Sequence, residues 1–126
     1  MAGVLAEAEP WTGAHVVTGG TDVHQFLVDL GPRASEATAT LGRLNGIGIS
    51  ANAIHLAFDP RPEPACSGLR FGATALAGRG FATEEFTAVG EILAEALARD
   101  GEDPDGSLAA RVERLTAGAP LYPYLD

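Results

Sequence analysis

Ser67-Gly68-Leu69-Arg70-Phe71-Gly72 sets one arginine in a short apolar run with a glycine on each side. Side chains alternate faces along a strand, so Leu69 and Phe71 share one face and Arg70 takes the other. The flanking glycines let a second backbone or a ligand approach closely. A guanidinium offers a planar fork of donors that matches a carboxylate at two points. Two readings fit Arg70 at this stage. It is a cation on the wet face of a half-solvated strand, or it is an anion-binding group.

Outward from that stretch, Asp59-Pro60-Arg61-Pro62-Glu63-Pro64 reads as a stiff loop, because proline fixes φ and removes donors, with Asp59 as a turn former. Ala73 to Gly80 reads as a loop of small residues, and Asn52 to Phe58 as an irregular segment. Val23 to Leu30 is the best strand: Phe26, Val28 and Leu30 share one face, while Gln25, Leu27 and Asp29 make a mixed face suited to partial cover by a partner. His15-Val16-Val17 and Gly46-Ile47-Gly48-Ile49 read as short strands, with a turn at Thr18-Gly19-Gly20-Thr21.

Three helices follow from caps and periodicity. Ser35 is the N-cap of one running to about Leu44, with Leu41 and Leu44 inward. Thr83 caps the strongest, which carries Glu84 and Glu85 in its first turn and a 3.6-residue stripe of Phe86, Val89, Ile92, Leu93, Ala96 and Leu97. The third runs from about Ser107 to Thr116 with Leu108, Val112 and Leu115 inward. Residues 2–9 make about two helical turns that Pro10 stops; too short to stand alone, they read as the tail of a helix begun on another chain. Leu121-Tyr122-Pro123-Tyr124 is an apolar tail that packs back on the domain or on a partner. The expected architecture is α+β, a small, mainly antiparallel sheet with helices on one face, in a single domain spanning 1–126.

A formal net charge of -9 argues against nucleic acid, which wants a basic face. The apolar runs are too short to span a membrane, and the N-terminal residues have no basic leader pattern, so a cytoplasmic location is expected. The single cysteine, Cys66, gives neither a disulfide framework nor a cysteine-based zinc site. His15, His24 and His55 match no metal motif, so no metal is expected. His24 reads as structural; His55, just before the proline loop, is a binding candidate. Ser67-Gly68 lacks the pattern of a nucleophile elbow, and Gly19-Gly20 lacks the lysine and helix of a phosphate loop. All eight basic residues are arginines, so no lysine of this chain can form a Schiff base.

Taken in order, these pieces resemble serine hydroxymethyltransferase. Thr18-Gly19-Gly20-Thr21-Asp22-Val23-His24 followed by Leu27-Val28-Asp29-Leu30 is similar to that family's "TGGTD-x-H…LVDL". Phe58-Asp59-Pro60-Arg61-Pro62 and Ser67 to Gly72 resemble its "DPR-x-P…SG[IL]R-x-G" at the same spacing. Arg79-Gly80-Phe81 with Glu84-Glu85-Phe86 matches "RGF…EEF", and Leu121-Tyr122-Pro123 resembles its terminal "FPLYP". The likeness covers nearly the whole chain and corresponds to the C-terminal small domain of a fold-type I pyridoxal-phosphate enzyme.

The resemblance implies interconversion of serine and glycine with tetrahydrofolate, and aldol cleavage of β-hydroxy amino acids. It implies that Arg70 binds the substrate carboxylate; Ser67 and His55 are the further substrate-binding candidates. It places Asn52, Ile54 and Phe58 in the folate region. There the family's "VN-x-N" reads Ala51-Asn52-Ala53-Ile54, so the second amide is replaced by an apolar side chain, and tetrahydrofolate is in doubt. The family's "GTPA" reads Gly72-Ala73-Thr74-Ala75. Its Schiff-base lysine and cofactor-phosphate site have no counterpart here. The expected role is the small subunit of a split enzyme, with no catalytic residue of its own. A separate large-domain subunit would hold pyridoxal phosphate, in a heterodimer or heterotetramer. The alternative is a non-catalytic binding or regulatory module derived from the family.

Overall fold

In the computed structural model, which describes residues 1–62 and 65–125, a four-stranded antiparallel sheet carries the order β1-β2-β4-β3 among the described residues. The strands are β1 His15–Val16, β2 Gln25–Asp29, β3 Asn52–Ile54 and β4 Gly68–Gly72. The helices are α1 Ala2–Glu7, α2 Glu9–Thr12, α3 Ala37–Gly46, α4 Thr74–Gly78, α5 Thr83–Ala98 and α6 Ser107–Ala117. The α+β class and the antiparallel sheet read from the sequence are the ones observed.

Register decides the faces. Val16 pairs with Val28, Val28 with Leu69, and Leu69 with Ala53, which makes one apolar row across all four strands. Phe26 opposite Phe71 makes a second, with rings stacked at 5.5 Å. This face is buried with Leu5 of α1, Leu44 of α3, Ile92, Leu93 and Leu97 of α5, and Leu108 of α6. Each of these large side chains contributes about 1.5–3 kcal/mol by leaving water. The opposite face carries the row Leu27, Arg70, Asn52 and is left open.

Electrostatic ties close the end of α5. Asp100 accepts from Thr40 Oγ1 at 2.7 Å and from Arg43 Nη2 at 2.6 Å. Arg33 donates to the Leu97 carbonyl at 2.5 Å and to the Thr12 carbonyl at 2.7 Å. Guanidinium groups at a helix C-terminus satisfy its last carbonyls and oppose its dipole.

Several local expectations are corrected. Pro10 does not end the first helix; it sits in the first turn of α2, where its missing N–H costs nothing. The strand expected from Val23 begins at Gln25, so His24 precedes it. Position 35 lies in a 3-10 helix, Gly31–Glu36, and α3 starts at Ala37 with Glu36 at the cap position. Gly46 to Ile49 is no strand: Gly46 closes α3, and Gly48 at φ +89° turns the chain away. The small residues after Gly72 form α4, since alanine favours helix where nothing else constrains the chain. Conversely, Asn52–Ile54 is an edge strand, formed because β4 offers it a partner. The cap of α5 falls one residue early, at Ala82, whose N–H donates to the Glu85 carboxylate at 2.8 Å. The terminal tail stays outside the core, with Tyr122 58% and Tyr124 77% exposed. Glu63 and Pro64 of the proline loop lie outside the described residues. Among those described, no helix is long and apolar enough to cross a membrane, and no cluster of His, Cys, Asp or Glu could hold a metal ion.

Candidate functional site

Arg70 occupies the middle of β4 on the open face, directly opposite Leu27 of β2 and Asn52 of β3. Its Nη2 donates to Asn52 Oδ1 at 3.1 Å. Among the described residues no carboxylate lies within ion-pair distance of it, nor of Arg79 or Arg114, whereas Arg33, Arg43, Arg61, Arg99 and Arg111 all have one. In an acidic chain that is an exposed cation held on a strand, its charge uncompensated by any described carboxylate. Chemically it can bind an anion of carboxylate size at two points.

Gly68, two residues earlier, lies on the same face between Asp29 and Ile54. A Cβ there would meet the Val28 carbonyl oxygen at 2.6 Å and Leu56 at 3.1 Å. Leu56, 2% exposed, therefore folds over this end of the open face. Ser67 fixes that fold: its Oγ accepts the Leu56 N–H at 3.1 Å, and its N–H donates to the Ile54 carbonyl at 3.0 Å. Ser67 is buried, and its hydrogen bonds hold this loop. His55 is half-buried, and its Nδ1 donates to the Ala65 carbonyl at 2.8 Å. A carbonyl only accepts, so Nδ1 carries a proton. Ile54 is half-buried on the face of Arg70, and Phe58 stands 60% exposed in the loop beyond. Arg70 and Asn52 are thus brought into contact, Ile54 lies one row away, and Phe58 stays apart.

Asp59 braces the same loop. Its Oδ1 accepts from the Arg61 N–H at 2.9 Å and its Oδ2 from Arg61 Nη2 at 2.9 Å, with the side chain 3% exposed. Arg61, through side chain and then backbone, holds the carboxyl well below the usual carboxylate range against the opposing effect of burial, with help from the Ser67 hydroxyl. A native value below the unfolded one means that the unfolded chain protonates first. The stabilisation is complete above the unfolded value of about 4 and is lost as pH falls through the native value. Asp59→Asn is therefore expected to lower stability at pH 7 and to converge with wild type in acid. Urea unfolding across pH 2–7 checks this, and parallel curves would sink it.

An apolar cavity of about 250 Å³ lies on the core side of the sheet, lined by Phe71, Ile92, Leu93, Val112 and Leu115 among others. It does not adjoin Arg70. Its one guanidinium, Arg79, is already committed to the Thr116 and Ala119 carbonyls.

Sequence reading missed that Asn52 is Arg70's partner, because the Asn52 to Phe58 segment was expected to be irregular. The polar-apolar-apolar run Asn52-Ala53-Ile54 was the available signal, too short to be distinctive.

Known proteins can now be set beside this geometry. A family profile described as Serine hydroxymethyltransferase matches residues 1–93. "Serine hydroxymethyltransferase 2" of Mycobacterium tuberculosis is 46% identical over 113 residues, 90% of this chain and 27% of that protein. A "Serine hydroxymethyltransferase" of Kineococcus radiotolerans is 49% identical over 111 residues, 88% of this chain and 25% of that protein. Its namesake in Bifidobacterium adolescentis is 48% identical over 125 residues, 98% of this chain and 28% of that protein. The chain spans about a quarter of the length of these curated relatives.

Proposed function

Because the chain belongs to the serine hydroxymethyltransferase family, we propose that it is the carboxylate-holding small subunit of a split pyridoxal-phosphate enzyme acting on glycine, serine or a related β-hydroxy amino acid. The observation that carries this reading is Arg70: a guanidinium uncompensated by any described carboxylate, at the centre of an open sheet face.

The residues present do not fit the cofactor itself. With no lysine among them, no side-chain amine here can form its imine, and no step on this chain passes through it. A separate large-domain subunit would hold it and cover the open face. Arg70 would take the substrate α-carboxylate at two donors, leaving the amino group and α-carbon directed at the partner. Leu56 and Leu27 bound the site on its apolar sides and limit water near the pair.

Ile54 bears on the one-carbon carrier. An apolar side chain neither donates nor accepts, and a polar ligand group left unpaired in a covered site costs ~1–3 kcal/mol. That favours aldol cleavage or transfer without folate over folate-dependent hydroxymethyl transfer.

Co-expression with a large-domain polypeptide of this family from the same genome tests the proposal. The expected product is a complex of two small and two large subunits that retains pyridoxal phosphate and cleaves threonine at a rate indifferent to added tetrahydrofolate. The chain alone should retain no cofactor. Absence of a complex would overturn the split-enzyme reading in favour of a non-catalytic module.

A further inference from the structure

Arg70 leans on a neutral acceptor. Its cross-strand neighbour in register is Asn52, and Asn52 Oδ1 takes one Nη2 proton at 3.1 Å. On the other side stands Leu27, whose side chain can hydrogen-bond to nothing. Among the described residues the guanidinium is thereby tethered from one side only. Arg79 rests on the Thr116 and Ala119 carbonyls, whereas three other arginines are held by carboxylates: Arg43 by Asp100 at 2.6 Å, Arg61 by Asp59 at 2.9 Å, Arg111 by Glu95 at 2.7 Å. Each of those pairs cancels the charge it fixes. An amide oxygen orients the fork through a hydrogen bond and leaves the full positive charge for an external anion.

We infer that Asn52 is the positioning residue of the carboxylate anchor: it orients the Arg70 guanidinium without neutralising it. This rests on the reading of Arg70 given above. It assigns Asn52 to the amino-acid end of the site, although the family resemblance places it in the folate region. The neutrality of the acceptor is the point. An aspartate could make the same bond, but it would compete with the incoming carboxylate for the fork and repel it.

The test uses the complex with the large-domain subunit, glycine as ligand, and methylamine as the analogue without a carboxylate. Asn52→Ala is expected to weaken glycine binding about 5–10-fold, the worth of one orienting hydrogen bond. Turnover at saturation and methylamine binding should hold within about twofold. Asn52→Asp should weaken glycine binding further, by roughly 30-fold or more, because the charge-assisted bond is stronger than the neutral one. A merely structural role would move methylamine binding and the melting temperature together and would not separate Ala from Asp. Normal glycine affinity in both Asn52 variants, beside a weakened Arg70→Ala control, overturns the inference alone. A normal Arg70→Ala control overturns the functional reading and this inference with it. The isolated chain supplies a readout that needs no partner: the Arg70 guanidinium protons seen by nitrogen-edited NMR should lose their dispersion in Asn52→Ala. Identical Arg70 signals in the two proteins would overturn the inference.

Discussion

Replacing Arg70 by alanine in the assembled enzyme is expected to weaken glycine binding by more than about 100-fold. Two charge-assisted hydrogen bonds in a covered site are each worth ~1.5–3 kcal/mol, and 1.36 kcal/mol is tenfold. The loss should be confined to ligands with a carboxylate. Methylamine should bind wild type and variant alike, because it makes no use of the fork. Arg70→Lys should recover part of the affinity, since an ammonium keeps the charge but not the two-point geometry. Isothermal titration with the two ligands separates these contributions. Equal losses for glycine and methylamine would show that Arg70 holds the fold of the site and not its ligand.

The second large effect is structural. Gly68→Ala is expected to destabilise the domain by about 3 kcal/mol, near 10 °C in melting temperature. The added methyl would sit 2.6 Å from the Val28 carbonyl oxygen and 3.1 Å from Leu56. The first of these is backbone within the sheet and cannot swing aside. Either β4 moves off β2, or Leu56 is expelled and the His55 to Ser67 loop goes with it. The same substitution at Gly42, exposed inside α3 with nothing within 4 Å of the new methyl, should instead stabilise by ~1 kcal/mol by removing unfolded-state freedom. Thermal unfolding of the two variants, one falling and one rising, checks both. A neutral Gly68→Ala would mean that the loop does not press on the sheet.

Much of the fold was legible because its signals are local. The alternation in Phe26-Leu27-Val28-Asp29 and in Leu69-Arg70-Phe71 depends only on the pleat, and it assigned every one of these side chains to the correct face. The stripe on α5 depends only on the helical period, and Ile92, Leu93, Ala96 and Leu97 are all buried. Expectations failed where a partner segment decides the outcome. Asn52–Ile54 is too short to be a strand by itself and becomes one at the edge of β4. Thr74–Gly78 lacks an apolar stripe and is helical only between the fixed ends of β4 and the α5 cap. Gly46 to Ile49 has the residues of a strand, but α3 runs into it first.

The candidate site divides the same way. That Arg70 faces away from the core, that no lysine accompanies it, and that Ile54 stands where an amide is expected are properties of the sequence, because face, count and spacing survive without a fold. That Arg70 is tethered to Asn52, eighteen residues away, and that no described carboxylate cancels its charge, was decided by tertiary structure alone. Hydrogen bonds and ion pairs act over a few ångströms, and only strand pairing brings residues so distant in the chain within that range.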